Sequence, residues 1–335
     1  MPPERTLAVV KAAAGEAGVE LREIPVPSAA PGFARLRVVA TGVCGTDVHI
    51  ARDEYGYESP VVMGHEILGA VDQVGDDADA GLLGRRVATE TYFSTCGSCD
   101  WCRDGRVNLC PSRRSIGSFE NGGFASHVVV PVGSLHPLPP GLGDIDGVLS
   151  EPLACVAQCL CDPAVVSPGD RVLVTGPGAM GQLAAQVAAA SGGRVTLAGL
   201  PADASRLEVA ASLGLAVTTE VPPAEAFDVV IECSGSAPGA AAALRAARRG
   251  GRYVQVGIFG REVSIPFDLV LYKELTVTSG FASTPASWRR AMALIEQGRV
   301  SLGPLVTARV PVSRWSEAFD NVRSGAGIKT VILPD

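Results

Sequence analysis

Hydrophobic and polar positions change their rhythm near the middle of the chain. Before residue 150 the apolar residues fall in short β-branched runs: 36–43 (LRVVATGV), 67–75 (ILGAVDQVG), 85–90 (RRVATE) and 124–131 (FASHVVVP). Gly, Pro and Asp bound each run, a pattern that predicts strands in a small β-rich domain with irregular loops. From Asp170 onward, strand and helix patterns alternate. Strands are predicted at 171–176, 194–199, 227–235, 250–260 and 275–281, and helices at 178–192 and 202–214. These strands are apolar throughout, as in a parallel sheet covered on both faces. Residues 287–300 read as a helix, and 301–335 return to short strands that could rejoin the first lobe. The fold class expected is α/β, a doubly wound parallel sheet beside a β-rich domain.

Composition narrows the partners. The chain has 335 residues, 47% hydrophobic and 19% charged, enough to fill the cores of two domains. A net charge of −7 argues against nucleic acid or a membrane surface, both of which require a basic footprint. No apolar run approaches the 18 or so residues of a membrane span, and the first residues lack the apolar core of a signal peptide. Cytoplasm is the expected compartment. There, nine cysteines point to metal ligation and free thiols rather than a disulfide framework.

Four of those cysteines form a group in CGSCDWCRDGRVNLC: Cys96, Cys99, Cys102 and Cys110. This spacing lets one loop turn four sulfurs inward, as tetrahedral zinc–sulfur coordination requires. A disulfide cluster fits poorly, because CxxCxxC is cramped for local pairing. A closed four-thiolate site staples a lobe and names no chemistry.

GPGAMG sets Gly176, Gly178 and Gly181 in the spacing GxGxxG between a predicted strand and a predicted helix. That context reads as a dinucleotide turn: the first glycine for the tight bend, the second for pyrophosphate approach, the third for packing. Ala179 and Met180 open the helix whose N-terminal N–H groups would face the phosphates. The acidic residue that usually ends the second strand and binds the adenosine ribose is missing. Gly199-Leu200-Pro201 stands there, with Asp203 and Arg206 following. Loss of that carboxylate admits NADP, whereas Asp203 on a longer loop could serve NAD. The choice between NAD and NADP stays open, with NAD slightly favoured.

A second constellation gathers Cys44, Thr46, Asp47 and His49 in GVCGTDVH, His65 and Glu66 in MGHE, and Glu151 in SEPLAC. Cys, His and carboxylate are zinc ligands, and a catalytic site keeps a position open for a substrate oxygen. Beside a nucleotide turn, the set suggests zinc-assisted hydride transfer.

Taken in order, GVCGTDVH, GHE, the four-cysteine lobe, SEPLAC and GxGxxG resemble the zinc-dependent medium-chain dehydrogenase/reductase family over essentially the whole chain. Within it the likeness is greatest to the polyol branch, the sorbitol or L-iditol 2-dehydrogenases, with threonine dehydrogenases nearby. The resemblance implies a GroES-like catalytic domain from residues 1–152 and 287–335, with a structural-zinc lobe at about 94–112, and a Rossmann domain at 153–286. It implies two zincs per chain, NAD(P), a catalytic site between the domains, and a homodimer or homotetramer. Cys44 and His65 match ligand positions, Glu66 a carboxylate that is a direct ligand in the polyol branch, and Glu151 a glutamate touching zinc directly or through water. Which of the two glutamates is the third ligand stays open. Thr46 matches the hydroxyl that takes the substrate's proton. His49 matches the far end of the relay, passing that proton through the ribose to solvent, and Asp47 a residue that orients ligands.

Departures bear on the substrate. The Phe-Arg pair of many sorbitol dehydrogenases reads Phe281-Ala282 here, so an arginine that would hold a polyol hydroxyl is absent. The loop from Ile50 to Pro60 carries Asp53, Glu54, Tyr55, Tyr57 and Glu58. It reads either as a solvated loop or as a recognition surface for a cationic or hydroxyl-rich substrate such as an aminocyclitol. His127 is expected on a strand at a domain edge and His136 in a loop, while Cys155, Cys159, Cys161 and Cys233 read as small packing residues. The activity expected is oxidation of a secondary alcohol on a polyol, sugar or (amino)cyclitol. L-Threonine 3-dehydrogenase and simple alcohol dehydrogenase are alternatives, and a non-catalytic redox sensor built on the four-thiolate cluster is an alternative of another class.

Overall fold

The computed structural model describes residues 4–75 and 80–335. The chain forms two compact units, Met1–Glu151 with Val306–Asp335, and Pro152–Leu305. The boundary at 287 expected from the sequence moves to 306, because the helix Pro285–Glu296 belongs to the second unit. Its Trp288 is wholly buried and donates its indole N–H to Ser283 Oγ at 3.0 Å, which ties the helix into that unit's interior.

In the first unit the long strand Phe33–Gly42 is the axis of the main sheet. Glu66–Val74 and Lys329–Leu333 pair with it antiparallel, as does His127–Pro131. The sheet continues outward through Arg86–Thr89 and Leu135–Pro137 on one side and Val306–Pro311 on the other. The alternation of Ala34, Leu36 and Val38 with arginines explains the placement: the apolar members are buried and Arg37 is exposed. A smaller sheet sets Arg5–Lys11 between Val19–Pro25 and Val61–Val62, strands that the apolar pattern left unassigned. The C-terminal segment does return to this unit, as Phe319, Val310 and Ile332 share a core with Val9, Val43, Ile50 and Phe124. A short hairpin of Tyr92–Ser94 and Arg114–Ser115 frames the four-cysteine loop.

The second unit is a six-stranded, wholly parallel sheet. From edge to edge it runs Ala216–Thr218, Arg194–Ala198, Arg171–Thr175, Phe227–Glu232, Ala247–Gln255 and Thr276–Ser279. Numbered along the chain this is 3-2-1-4-5-6, the doubly wound order whose switch point falls between the first and fourth strands. The switch point therefore lies beyond Thr175 and Glu232, where the glycine-rich turn begins. The edge strand Ala216–Thr218 escaped the sequence pattern because it is short and largely exposed. Among the described residues no helix is long and apolar enough to cross a membrane.

Candidate active site

Gly42, at the end of the central strand, pairs with Glu66 on one side and Val331 on the other. A Cβ at Gly42 would stand 2.0 Å from Glu66 Oε2, so only glycine lets that carboxylate lie across the strand. Lys329, on the far neighbour, reaches it with Nζ at 2.7 and 2.8 Å from the two oxygens and 3.3 Å from the Val43 carbonyl. Both side chains are buried. Burial opposes the Lys329 ammonium, but Glu66, with Cys44 nearby, outweighs it and raises the lysine above its ordinary value. The sequence reading missed Lys329; its signal was a lone charge opening the apolar run KTVIL.

Chain direction then carries the backbone into the helix Gly45–Ala51, with Cys44 as its N-cap. Asp47, at the third helical position, accepts the Cys44 N–H at 2.9 Å through Oδ2, while its Oδ1 lies 3.4 Å from His65 Nδ1. One fully buried carboxylate thus caps the helix and faces the histidine. Burial disfavours the His65 imidazolium, yet Asp47, with a smaller contribution from Cys44, raises the ring well above the usual histidine value. With Nδ1 turned to Asp47, Nε2 is the nitrogen available to a metal, the orientation that a carboxylate behind a ligand histidine imposes.

One ligand atom from each of Cys44, His65 and Glu66 lies within 4.8 Å of the others, a soft, a borderline and a hard donor arranged around one point. Thr46 Oγ1 is 3.6 Å from Cys44 Sγ, so its hydroxyl borders this group. Glu151 is buried at the start of the helix Ser150–Cys161, and its charge reaches Lys329, but it is outside the three-ligand group. Of the two glutamates, Glu66 is the one placed beside Cys44 and His65. His49 sits near the end of the Gly45–Ala51 helix, half exposed, with Nδ1 2.7 Å from Glu54 Oε2.

Two carboxylates of the exposed acidic loop, Asp53 and Glu58, are paired by residues from elsewhere in the chain. Asp53 accepts from the wholly buried Lys11 at 2.8 Å, from the Tyr57 hydroxyl at 2.6 Å and from the Gly15 N–H at 2.6 Å. Lys11 first, then Tyr57 and Gly15, hold its carboxyl down to about 2. Glu58 pairs with Arg114 at 2.8 Å. His127 opens its strand, as expected, and its Nδ1 lies 2.8 Å from Ser126 Oγ. His136, read as a loop residue, is instead in the strand Leu135–Pro137, 2.9 Å from Glu90. Of the cysteines read as packing residues, Cys159 is buried and its thiol is pushed up to about 11 by burial.

Cys96, Cys99, Cys102 and Cys110 offer four sulfurs within 4.8 Å of one another, with Cys96 Sγ 3.6 Å from Cys110 and 4.0 Å from Cys102. A tetrahedron with Zn–S bonds of about 2.3 Å has edges of about 3.8 Å, so the spacing fits a zinc ion. Backbone N–H groups of Ser98 and Cys99 draw the Cys96 thiol down to about 6. Cys99, despite an N–H from Cys102, is pushed up to about 11 by lost water and its sulfur neighbours.

In the second unit Gly176 takes φ 86°, and a Cβ on Gly181 would meet the Gly176 carbonyl at 1.9 Å, so turn and helix pack at backbone contact. A Cβ on Gly178 would meet nothing within 4 Å, which leaves open space at the N-cap of the helix Ala179–Ala190. Ala179 and Met180 contribute the first N–H groups of that helix. Gly199 packs against Pro177 of the turn, where its Cβ would stand 2.9 Å from Pro177 Cγ. Asp203 accepts the Leu200 N–H at 2.9 Å and pairs with Arg206 at 3.2 Å, so the two candidate ribose-side groups neutralise each other.

Fold and site together define a zinc-binding dehydrogenase. Residues 30–140 match the alcohol dehydrogenase GroES-like domain, and 179–297 match the zinc-binding dehydrogenase domain. Sorbitol dehydrogenase of Halalkalibacterium halodurans is 35% identical over 340 residues, covering 98% of this chain and 99% of that protein. D-arabitol-phosphate dehydrogenase of Enterococcus avium is 32% identical over 97% of this chain and 96% of its own length. A crystal structure from Sinorhizobium meliloti 1021, described as a putative zinc-binding dehydrogenase bound to NADP, superposes with a TM-score of 0.89 at 29% identity, covering 99% of this chain and all of that one. The chain belongs to the zinc-dependent medium-chain dehydrogenase/reductase family, with relatives in its polyol-type branch.

Proposed function

We propose that the protein oxidises a secondary alcohol of a polyol, sugar or cyclitol, with Cys44, His65 and Glu66 holding a catalytic zinc and the Gly176–Gly181 turn holding NAD(P). The observation that carries this reading is the convergence of three unlike ligand atoms within 4.8 Å, with Asp47 behind the histidine. When bound, zinc supplies Lewis-acid polarisation of the substrate oxygen, and the nicotinamide supplies a hydride acceptor. Lys329 offsets part of the ligand set's negative charge, and Asp47 fixes the His65 ring. Thr46 takes the hydroxyl proton of the substrate, and His49, half exposed, passes it to water. Cys96, Cys99, Cys102 and Cys110 hold a second, structural zinc. The open face at Gly178 and the N–H groups of Ala179 and Met180 suit a pyrophosphate. Gly199, Asp203 and Arg206 line the adenosine side, and the Asp203–Arg206 pair leaves neither NAD nor NADP excluded.

A panel of sorbitol, arabitol, arabitol phosphate, inositol, an aminocyclitol and L-threonine, each with NAD and NADP, tests the substrate class. Turnover of polyols or cyclitols supports the reading; turnover of L-threonine alone overturns it. Self-association is supported by the Thr276–Ser279 strand, which among the described residues pairs on one side only, and by exposed Phe267, Leu271, Tyr272 and Val277 in the same stretch. Light scattering should return a dimer or tetramer; a monomer at micromolar concentration contradicts that assignment.

A further inference from the structure

We propose that Glu54 is a positioning residue for His49, selecting the imidazole tautomer that takes up a proton. The inference rests on the proton-relay reading above. Three observations carry it. His49 Nδ1 lies 2.7 Å from Glu54 Oε2, and the Glu54 N–H donates to the His49 carbonyl at 2.8 Å, so the contact is made by side chain and backbone together. Arg52 and Asp53 lie between the helix end at Ala51 and Glu54, and Asp53 takes a left-handed φ of 61°. Such a conformation is uncommon outside glycine and persists where its surroundings impose it. Here they do: buried Lys11, the Tyr57 hydroxyl and the Gly15 N–H all converge on the Asp53 carboxylate. A buried cation from the first strand thereby sets the backbone turn that returns Glu54 to His49. An exposed glutamate on an ordinary loop would sample many rotamers; this one has its backbone fixed.

The chemical consequence follows from the two nitrogens of imidazole. His49 Nδ1–H donates a hydrogen bond to the Glu54 carboxylate, so the Nε2 lone pair is the one free to take a proton. When Nε2 takes a proton the ring becomes an imidazolium, with the Glu54 carboxylate still ionised beside it. The ring returns to neutral when Nε2 gives that proton to water. Glu54 neither gains nor loses a proton.

Long-range 1H–15N NMR of the full-length protein reads the tautomer directly, and with four histidines in the chain each signal can be assigned by substitution. His49 should carry its proton on Nδ1 in the wild type and in Glu54→Gln, whose amide oxygen still accepts. In Glu54→Ala it should shift to mainly Nε2–H, as in free histidine. With the best polyol of the panel, Glu54→Ala should lower kcat about three- to tenfold at nearly constant KM, a modest effect because the pair is partly solvated. Glu54→Gln should fall between that variant and the wild type. In a His49→Asn background, Glu54→Ala should cost nothing further. An unchanged tautomer in Glu54→Ala, or an equal loss in the His49→Asn background, overturns the assignment. Wild-type turnover in His49→Asn alone would instead remove the relay reading and leave the tautomer result to be judged by itself.

Discussion

Lys329→Met removes a buried cation while keeping the length of its stem, and it isolates what the Glu66 pair contributes. The two contacts of 2.7 and 2.8 Å are charge-assisted and shielded from water. At an effective dielectric of about 20, charges at such a separation attract by about 6 kcal/mol. Breaking a buried pair by removing one partner costs about 3–5 kcal/mol, mainly because the remaining charge is left unpaired. Glu66 has nowhere to relax, since it lies flush on Gly42 and is 1% exposed. At about 2–4 °C per kcal/mol for a unit of this size, Tm of the EDTA-treated protein should fall by roughly 10 °C. Zinc at Cys44, His65 and Glu66 would supply a replacement positive charge, so the zinc-loaded variant should lose less. Differential scanning calorimetry with and without EDTA makes the comparison. Adding Glu66→Gln to Lys329→Met should recover a good part of the loss, because it removes the orphaned charge. A fall of under about 2 °C in Lys329→Met, or additive losses in the double variant, would refute the reasoning.

Three further outcomes follow from other parts of the molecule. Asp53, held down to about 2, contributes loop stability that is present above the ordinary aspartate range near pH 4 and lost as pH falls through about 2. Hydrogen exchange of the 50–60 segment should therefore lose protection between about pH 4 and 2 in the wild type. Asp53→Asn, which tolerates the same backbone, should show low protection at every pH; equal protection in both proteins would contradict the anchoring role. Gly178→Val places a side chain in the open space above the helix N-terminus, at φ −72° and ψ −176°, which valine adopts freely. NAD(P) affinity should drop about tenfold or more, roughly 1.4 kcal/mol, with Tm unchanged, and an unaltered Kd by titration calorimetry would count against the turn as the pyrophosphate site. In zinc-stripped protein at neutral pH, iodoacetamide should modify Cys96 first and Cys99 last, following thiols at about 6 and about 11. Uniform labelling by peptide mapping would speak against that ordering.

What the sequence made legible follows from how local each signal is. The doubly wound sheet was readable because its inner strands, such as Val172–Val174 and Val229–Ile231, are apolar on both faces, and because a glycine-rich turn sits between strand and helix. The four-cysteine lobe was readable because one loop supplies all four ligands. Lys329 was not, because its meaning depends on a partner strand hundreds of residues away in the chain and on a glycine that lets two side chains meet above it. The pairing of the acidic loop was not legible for the same reason. Asp53 and Glu58 are solvent-facing, and their partners Lys11 and Arg114 are both distant in sequence. The helix Pro285–Glu296 shows the complementary limit: its amphipathic pattern marked a helix but not which unit buries Trp288.

Metal content of wild type and Cys44→Ser, measured beside turnover, tests the central claim most directly. The wild type should bind about two zincs per chain, and Cys44→Ser about one, retained by the four-cysteine loop, with alcohol oxidation abolished. A wild type with a single zinc, or a Cys44→Ser variant that turns over normally, would contradict the assignment of Cys44, His65 and Glu66 as the catalytic metal site.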